Sequence, residues 1–321
     1  MTRVDANTRN ARGQSPLFAA CRNSKLDVVP LLLDARADMN ASSVFIETSP
    51  LWEACDSLRH HDLVGMLLKA GTDKDQNTAS GETLLWTAAS VNSQKHVRLL
   101  LEAGANKNKA NNSGQTPLWA ASRHGHADSV RLLLEARAEV DRWDRAGKTP
   151  LWIAACHAHA AVVEWLLHAG ADKNATDALW GASPLWVASE SDRLAIVRVL
   201  LEARADKDLS SIRGATPLWV ASSCGHLETA RLLQQGADKD KSNTRGETPL
   251  WVASCFGHTG TVRLLLQAGA QRDKADSAGA RPNEIARRSG HEDICKLLME
   301  GAVIDHTGPT RKRPCRWPVN P

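Results

Sequence analysis

One tetrapeptide written nine times constrains this chain more than any other feature. It reads Ser15-Pro16-Leu17-Phe18, then Ser49-Pro50-Leu51-Trp52 and Thr83-Leu84-Leu85-Trp86. Thr116, Thr149, Ser183, Thr216 and Thr248 are each followed by Pro-Leu-Trp, and a degenerate copy, Arg281-Pro282-Asn283-Glu284, closes the series. Successive starts lie 34, 34, 33, 33, 34, 33, 32 and 33 residues apart. A period this regular predicts a stack of one supersecondary unit, each copy too small to bury its own apolar face and stabilised by its neighbours.

The chemistry of one copy follows from its residues. The Ser or Thr hydroxyl can accept a hydrogen bond from an orphan amide, which suits a helix N-cap, and Pro fits the first helical position, where no donor is lost. A short helix such as Leu118-Trp119-Ala120-Ala121-Ser122 follows, broken by Gly-His at Gly125-His126, Gly225-His226, Gly257-His258 and Gly290-His291. A second helix, Val130-Arg131-Leu132-Leu133-Leu134, has close copies at Val97, Val197 and Val262 and buries a Leu face. It ends on Gly71, Gly104, Gly170, Gly236 or Gly269, a residue suited to the left-handed helix stop. Asn or Asp first and Gly last, as in Asn111-x-x-Gly114 and Asp144-x-x-Gly147, then gives type I turn chemistry at a loop tip.

The Thr-Pro-Leu motif, the Gly-His break, the Leu-rich second helix and the following Gly170-Ala171-Asp172 together resemble the ankyrin repeat family. The resemblance implies an all-α repeat solenoid, an ankyrin array of about nine helix–turn–helix repeats with protruding β-turn fingers. The organisation expected is an extension at 1–9, an array at 10–303 and a disordered basic, Pro-containing tail at 304–321. The repeats fall near 10–43, 44–77, 78–110, 111–143, 144–177, 178–210, 211–242, 243–275 and 276–303. The first and last repeats read as caps.

Three departures from the family carry expectations. Where the family usually has His after Thr-Pro-Leu, Trp52, Trp86, Trp119, Trp152, Trp186, Trp219 and Trp251 stand here. An indole has one N–H and no acceptor, so it replaces only part of the His role and adds a large apolar surface. A Trp ladder through the inter-repeat core is expected, the alternative being an exposed strip that grips ligand. Arg36, Arg137 and Arg204 replace the helix-ending Gly, which predicts strain or a different termination. Lys74, Lys107, Lys173, Lys207 and Lys239 recur along one edge, each beside Asp or Asn, and read as locally offset, snorkelling side chains.

Composition excludes several classes. A net charge of +4 is too small a surplus to argue for nucleic acid. No apolar run is long enough to cross a membrane, and the polar start Met1–Arg12 has no signal-peptide core. Seven scattered Cys without a Cys-x-x-Cys pair suit free thiols in the reducing cytoplasm or nucleus. No phosphate loop, nucleophile elbow or His-Glu-x-x-His motif is present, so the chain reads as a non-enzyme without cofactor. His124, Cys156 and His157 are zinc-type ligands, but three without standard spacing read as groove residues.

The resemblance places partners at the finger tips and the exposed end of the first helix. Most tips are polar, and the exceptions are Phe45-Ile46, Trp143, Leu179-Trp180 and Ile212, with Arg145 and Arg213 beside them. Trp and Arg are the types most enriched at binding hot spots. The predicted centre of a protein-binding surface is therefore Trp143, Arg145, Leu179, Trp180, Ile212 and Arg213, with Arg123, His124, His157 and Glu190 facing the same groove. The alternative is that Trp143 and Trp180 fold down and seal the fingers. The function expected is a monomeric protein–protein scaffold, with nucleic-acid binding along the concave face or a regulatory role in an enzyme complex as the alternatives.

Overall fold

A computed structural model describes residues 5–41, 49–56 and 61–300. The Phe45-Ile46 turn and the 304–321 tail lie outside them. The chain divides into two compact units, Met1–Ala171 and Asp172–Pro321. Unit 1 holds five helix pairs: α1 Pro16–Arg22 and α2 Val28–Asp34, α3 Pro50–Asp56 and α4 His61–Lys69, α5 Leu84–Ser90 and α6 Gln94–Glu102, α7 Pro117–Arg123 and α8 Ala127–Glu135, α9 Pro150–Cys156 and α10 Ala160–His168. Unit 2 holds four: α11 Pro184–Glu190 and α12 Leu194–Glu202, α13 Pro217–Cys224 and α14 Leu227–Leu233, α15 Pro249–Phe256 and α16 Thr259–Gln267, α17 Pro282–Arg288 and α18 Glu292–Met299. The pairs pack in series: in unit 1 α1 packs on α3, α5 on α7, α7 on α9, α4 on α6, α6 on α8 and α8 on α10, and in unit 2 first helix packs on first helix and second on second throughout. No strand occurs among the described residues.

The repeated tetrapeptide builds the start of each first helix. The Thr116 hydroxyl accepts from Trp119 N at 3.1 Å, Thr216 from Trp219 N at 3.1 Å and Thr248 from Trp251 N at 3.1 Å. Each such cap is worth about 1 kcal/mol, which these seven- and eight-residue helices need because helices so short are not stable alone. The degenerate copy has no side-chain cap of this kind, but Glu284 folds back on Arg281 N at 3.5 Å.

The ladder of indoles forms, and it is polar as well as apolar. Trp119, Trp152, Trp219 and Trp251 are buried, whereas Trp52, Trp86 and Trp186 keep part of their surface in solvent. In unit 1 the Trp119 indole N–H donates to Lys148 O at 3.2 Å. In unit 2 Trp186 donates to Ala215 O at 3.1 Å, Trp219 to Glu247 O at 2.9 Å and Trp251 to Ala280 O at 3.0 Å. Every acceptor is the residue just before the next repeat's cap position. The single indole donor thus supplies the inter-repeat bond, and ring area replaces what the second imidazole nitrogen would have done. Trp86 Nε1 is buried without a partner.

The arginines at the helix stops are strained without being differently terminated. Arg36, Arg137 and Arg204 take φ of 60°, 59° and 61°. Arg137 N donates to Leu134 O at 2.8 Å and Ala138 N to Leu133 O at 3.0 Å, the pattern that Gly104 N and Ala105 N make at 2.9 Å each. The stop is imposed by the stacking of the helix pairs, and the Cβ penalty is tolerated. Arg137→Gly and Arg204→Gly should each raise stability by about 0.5–1 kcal/mol, the left-handed penalty less the entropy of Gly. A higher urea midpoint at unchanged slope would show it.

The first repeat lacks the polar outer face expected of a cap. Val28 and Leu31 are 36% and 68% exposed, while the equivalent Ser129 and Leu132 are 0% and 6% exposed. Ser129 Oγ reaches Asn92 of the preceding repeat at 3.0 Å, so this is the face turned toward a preceding repeat. Helix α2 keeps the apolar register of an internal helix.

Candidate functional site

Among the described fingers each is a loop closed on its own first residue, Asn or Asp in most and Thr78 and Ser211 in the third and seventh. Asn111 Oδ1 accepts from Ser113 N and Gln115 N at 3.0 Å each, and Gly114 N donates to Asn111 O at 2.9 Å. Successive tips are joined by one backbone bond. In unit 1 Asn112 N donates to Ser80 O and Arg145 N to Ser113 O, both at 2.9 Å. In unit 2 Ile212 N donates to Trp180 O and Thr244 N to Arg213 O at 2.9 Å, and Ser277 N to Arg245 O at 2.8 Å. The tips of a unit therefore form a row at fixed register. Of the recurrent lysines, Lys207 donates to Gln235 O, and lysines two residues beyond that position tie the loops behind the row: Lys109 Nζ donates to Asp75 O at 2.5 Å and Lys241 Nζ to Asp208 O at 2.7 Å.

The sixth finger differs. In the first, third to fifth and seventh to ninth fingers a Gly N bonds the carbonyl three residues back, but here Gly181 N bonds Asp177 O, four residues back, at 3.1 Å. Asp177 is buried and its carboxylate accepts from the amides of Leu179, Trp180 and Ala182 at 3.3, 3.2 and 2.7 Å. The extra residue widens the turn and lifts two large apolar side chains off the fold, leaving Leu179 60% and Trp180 40% exposed. Ile212, on the next tip, is 64% exposed. The Arg213 guanidinium carbon lies 5.3 Å from the Trp180 ring centre, at cation–π range.

The ends of the first helices carry a second recurrent device. Where His follows the break, as in five repeats, it donates from Nε2 to a carbonyl at the end of the previous first helix. His126 reaches Ser90 O and His159 reaches Arg123 O at 2.9 Å, while His226 reaches Glu190 O and His258 reaches Ser223 O at 3.0 Å. These imidazoles are scaffold. They also explain the break glycine, because a β-carbon on Gly225, at φ +74°, would stand 2.5 Å from His258 Nδ1. Gly290 holds the same place in the last repeat at φ +81° with nothing within 4 Å. Gly290→Ala should therefore cost about 1 kcal/mol from backbone strain alone. Gly225→Ala should cost a further 1–3 kcal/mol or so for overpacking. Equal losses in parallel urea titrations would reject the role of the His ring.

The sequence-predicted residues fall into both units. In unit 1, Trp143 is 67% exposed at the base of the fifth finger and Arg145 is held in the tip row by its amide. Arg123, His124 and His157 are exposed at the ends of α7 and α9. The His124 ring stacks on His126 at 5.8 Å and His157 on His159 at 6.2 Å. Burial, then the neighbouring His126, Arg123 and His159, lower the His124 pKa. In unit 2, Leu179, Trp180, Ile212 and Arg213 are brought together, while Glu190 belongs to the helix-end surface, where burial raises its pKa.

Among the described residues no group of three or more His, Cys, Asp or Glu is placed to hold a metal ion. Burial pushes the Cys21 thiol up to about 12 and raises Cys224 as well, the reverse of what a thiolate nucleophile needs. Reading the sequence missed Arg245, which follows Arg213 in the same tip row. It also missed the widened sixth turn, whose signal is Asp177-x-x-x-Gly181 where the other fingers that keep the Gly have two intervening residues.

Helix pairs stacked in series, with cross-bonded turns at one edge, define a repeat protein that presents a row of loops. The family described as ankyrin repeats, in three copies, matches residues 2–78, 51–144, 85–177, 151–243 and 232–307, and the chain belongs to this family. Ankyrin repeats are in general protein–protein interaction modules. Among solved structures the chain is similar to the human ASB11 ankyrin repeat domain, with 26% identity and a TM-score of 0.61, over 72% of this chain and 100% of that one. No curated protein sequence matches the chain. No helix among the described residues is long and apolar enough to cross a membrane.

Proposed function

We propose that this chain is a protein-binding scaffold that takes its partner on the finger tips, in the reducing interior of the cell. The observation that carries this reading is the exposure of Trp143, Leu179, Trp180 and Ile212 on loops whose closure uses backbone and Asp or Asn side chains instead of these groups. Large apolar side chains that folding does not use are the usual mark of a recognition surface. The helix-end residues Arg123, His124, His157 and Glu190 then serve as polar rim contacts. The array at 10–303 is the binding part, flanked by 1–9 and 304–321.

Affinity capture from lysate of the source cell, comparing the wild-type chain with a Trp143→Ala/Trp180→Ala variant, tests the reading. Truncating hot-spot aromatics should cost at least about 2 kcal/mol, roughly thirtyfold in affinity. The variant, folded by circular dichroism, should lose the captured protein. Undiminished capture would place the partner elsewhere, and an unfolded variant would assign both indoles to finger packing.

A further inference from the structure

We propose that the tip row of the second unit recognises an extended peptide segment in which aliphatic or aromatic side chains are interleaved with carboxylates. This deepens the protein-binding reading above and rests on it. Two observations, independent of each other, carry it.

The first is the apolar end of the row. The widened sixth turn presents Leu179 and Trp180, and the next tip adds Ile212, so three large apolar groups share one exposed patch. A β-carbon on Gly181 would lie 3.0 Å from Ile212 Cγ2, so the glycine lets the two tips close up.

The second is the charge along the same row. The next two tip side chains are Arg213 and Arg245, both exposed and in register through Thr244 N→Arg213 O and Ser277 N→Arg245 O. The acidic groups behind these tips take part in closing the loops. Asp177 and Glu247 are buried, the first on three loop amides and the second on Asn243 Nδ2 at 2.6 Å. Asp276 accepts from Ala278 N and Ala280 N at 3.0 and 2.7 Å. The row thus offers apolar contact followed by two exposed cationic side chains.

That complementarity selects the partner chemistry. An apolar segment without charge gains nothing from the two cations, and a basic one meets repulsion. A single-stranded nucleic acid would use Trp180 and the two arginines. It needs a longer cationic track and further stacking rings, whereas Leu179 and Ile212 are aliphatic.

The test is fluorescence anisotropy of the full chain with a labelled peptide of about ten residues, alternating Leu or Phe with Glu. A twin with Lys for Glu and an oligo-dT of similar length serve as the competing probes. The acidic peptide should bind, weaken as salt rises from about 50 to about 500 mM, and lose at least tenfold on Arg213→Glu/Arg245→Glu and on Leu179→Ala/Trp180→Ala. The second pair removes exposed side chains only, and circular dichroism checks both variants. Equal binding of the Lys twin, or no effect of the Arg pair while the Leu179→Ala/Trp180→Ala variant still loses, overturns the proposed chemistry and leaves the finger-tip reading standing. No effect of Leu179→Ala/Trp180→Ala overturns both for this unit. Binding of the oligonucleotide in preference to the peptides, or no binding of the acidic peptide, overturns the proposal.

Discussion

Replacing Trp219 by alanine is expected to remove about 3–5 kcal/mol from the second unit, the range for deleting a large aromatic from a packed core. Trp219 sits in a buried cluster with Ala215, Val220, Trp251, Val252, Cys255 and Ile285, against which Trp186 also packs. Its indole N–H makes a 2.9 Å bond to Glu247 O. The contribution has two parts, and substitutions separate them. Trp219→Phe keeps most of the ring contact but leaves Glu247 O without this donor, so it should cost about 1–3 kcal/mol through the lost bond and the volume change. Trp219→His restores a donor and shrinks the ring, and should fall between Phe and Ala because area dominates. Urea unfolding followed by circular dichroism gives the order. A Trp219→Ala midpoint close to wild type would mean that neighbouring rings close the gap and that the ladder is not the principal tie between these repeats. Repeat arrays can lose cooperativity when one interface is weakened, so a second transition in the variant is part of the expected result.

Acidification should weaken the first unit through His96. This side chain is 1% exposed on α6, with Nδ1 2.8 Å from Ser93 Oγ and Nε2 3.3 Å from His61 Nδ1. The equivalent position elsewhere is Val28, Leu63, Ser129, Val162, Ile196, Thr229, Thr261 or Ile294, so an imidazole is unusual here. Burial first, and the neighbouring His61 second, lower its pKa from 6.5 to about 4. The unfolded chain therefore takes up the proton before the folded one as pH falls. The stabilising effect of the neutral ring is complete above about pH 6.5 and declines by about 1.4 kcal/mol per pH unit toward pH 4, about 3 kcal/mol in all. The lowered pKa of His124 acts in the same direction. His96→Leu, which copies Leu63, should flatten the dependence between pH 7 and pH 5 while leaving the unit folded at pH 7. Urea titrations of both proteins at the two pH values decide the matter. An equal loss in wild type and variant would assign the acid sensitivity to other groups.

The repeat was legible because each of its parts has a local cause. A hydroxyl capping an amide three residues on, a Pro where no donor is needed and a Gly where φ is positive are all decided within a few residues of chain. That is why the nine starts, the paired helices and the finger turns could be read directly. The core role of the tryptophans was legible for the same reason, since they stand at a fixed offset from the cap. Which of them is well sheltered was not. Trp119 and Trp219 are buried while Trp86, with the same local sequence position, leaves a buried N–H unpaired, and that difference lies in how neighbouring pairs settle on one another.

The candidate site divides the same way. The residue types at the tips, Trp143, Arg145, Leu179, Trp180, Ile212 and Arg213, were visible as breaks in a polar pattern. Their conformations were not, because exposure of a loop side chain depends on what the adjacent loop offers it. Trp143 stands free to 67% while Trp180 carries Arg213 against its ring. The break histidines needed the structure as well. Their Nε2 bonds run to carbonyls 35 or 36 residues earlier, a separation that no local pattern encodes. The unit, its period and its capping follow from the chain alone, because those are short-range hydrogen-bond and backbone preferences. Which faces are covered, and that α2 leaves Val28 and Leu31 bare, came from the tertiary structure, because these depend on contacts between stretches of chain some 33 residues apart.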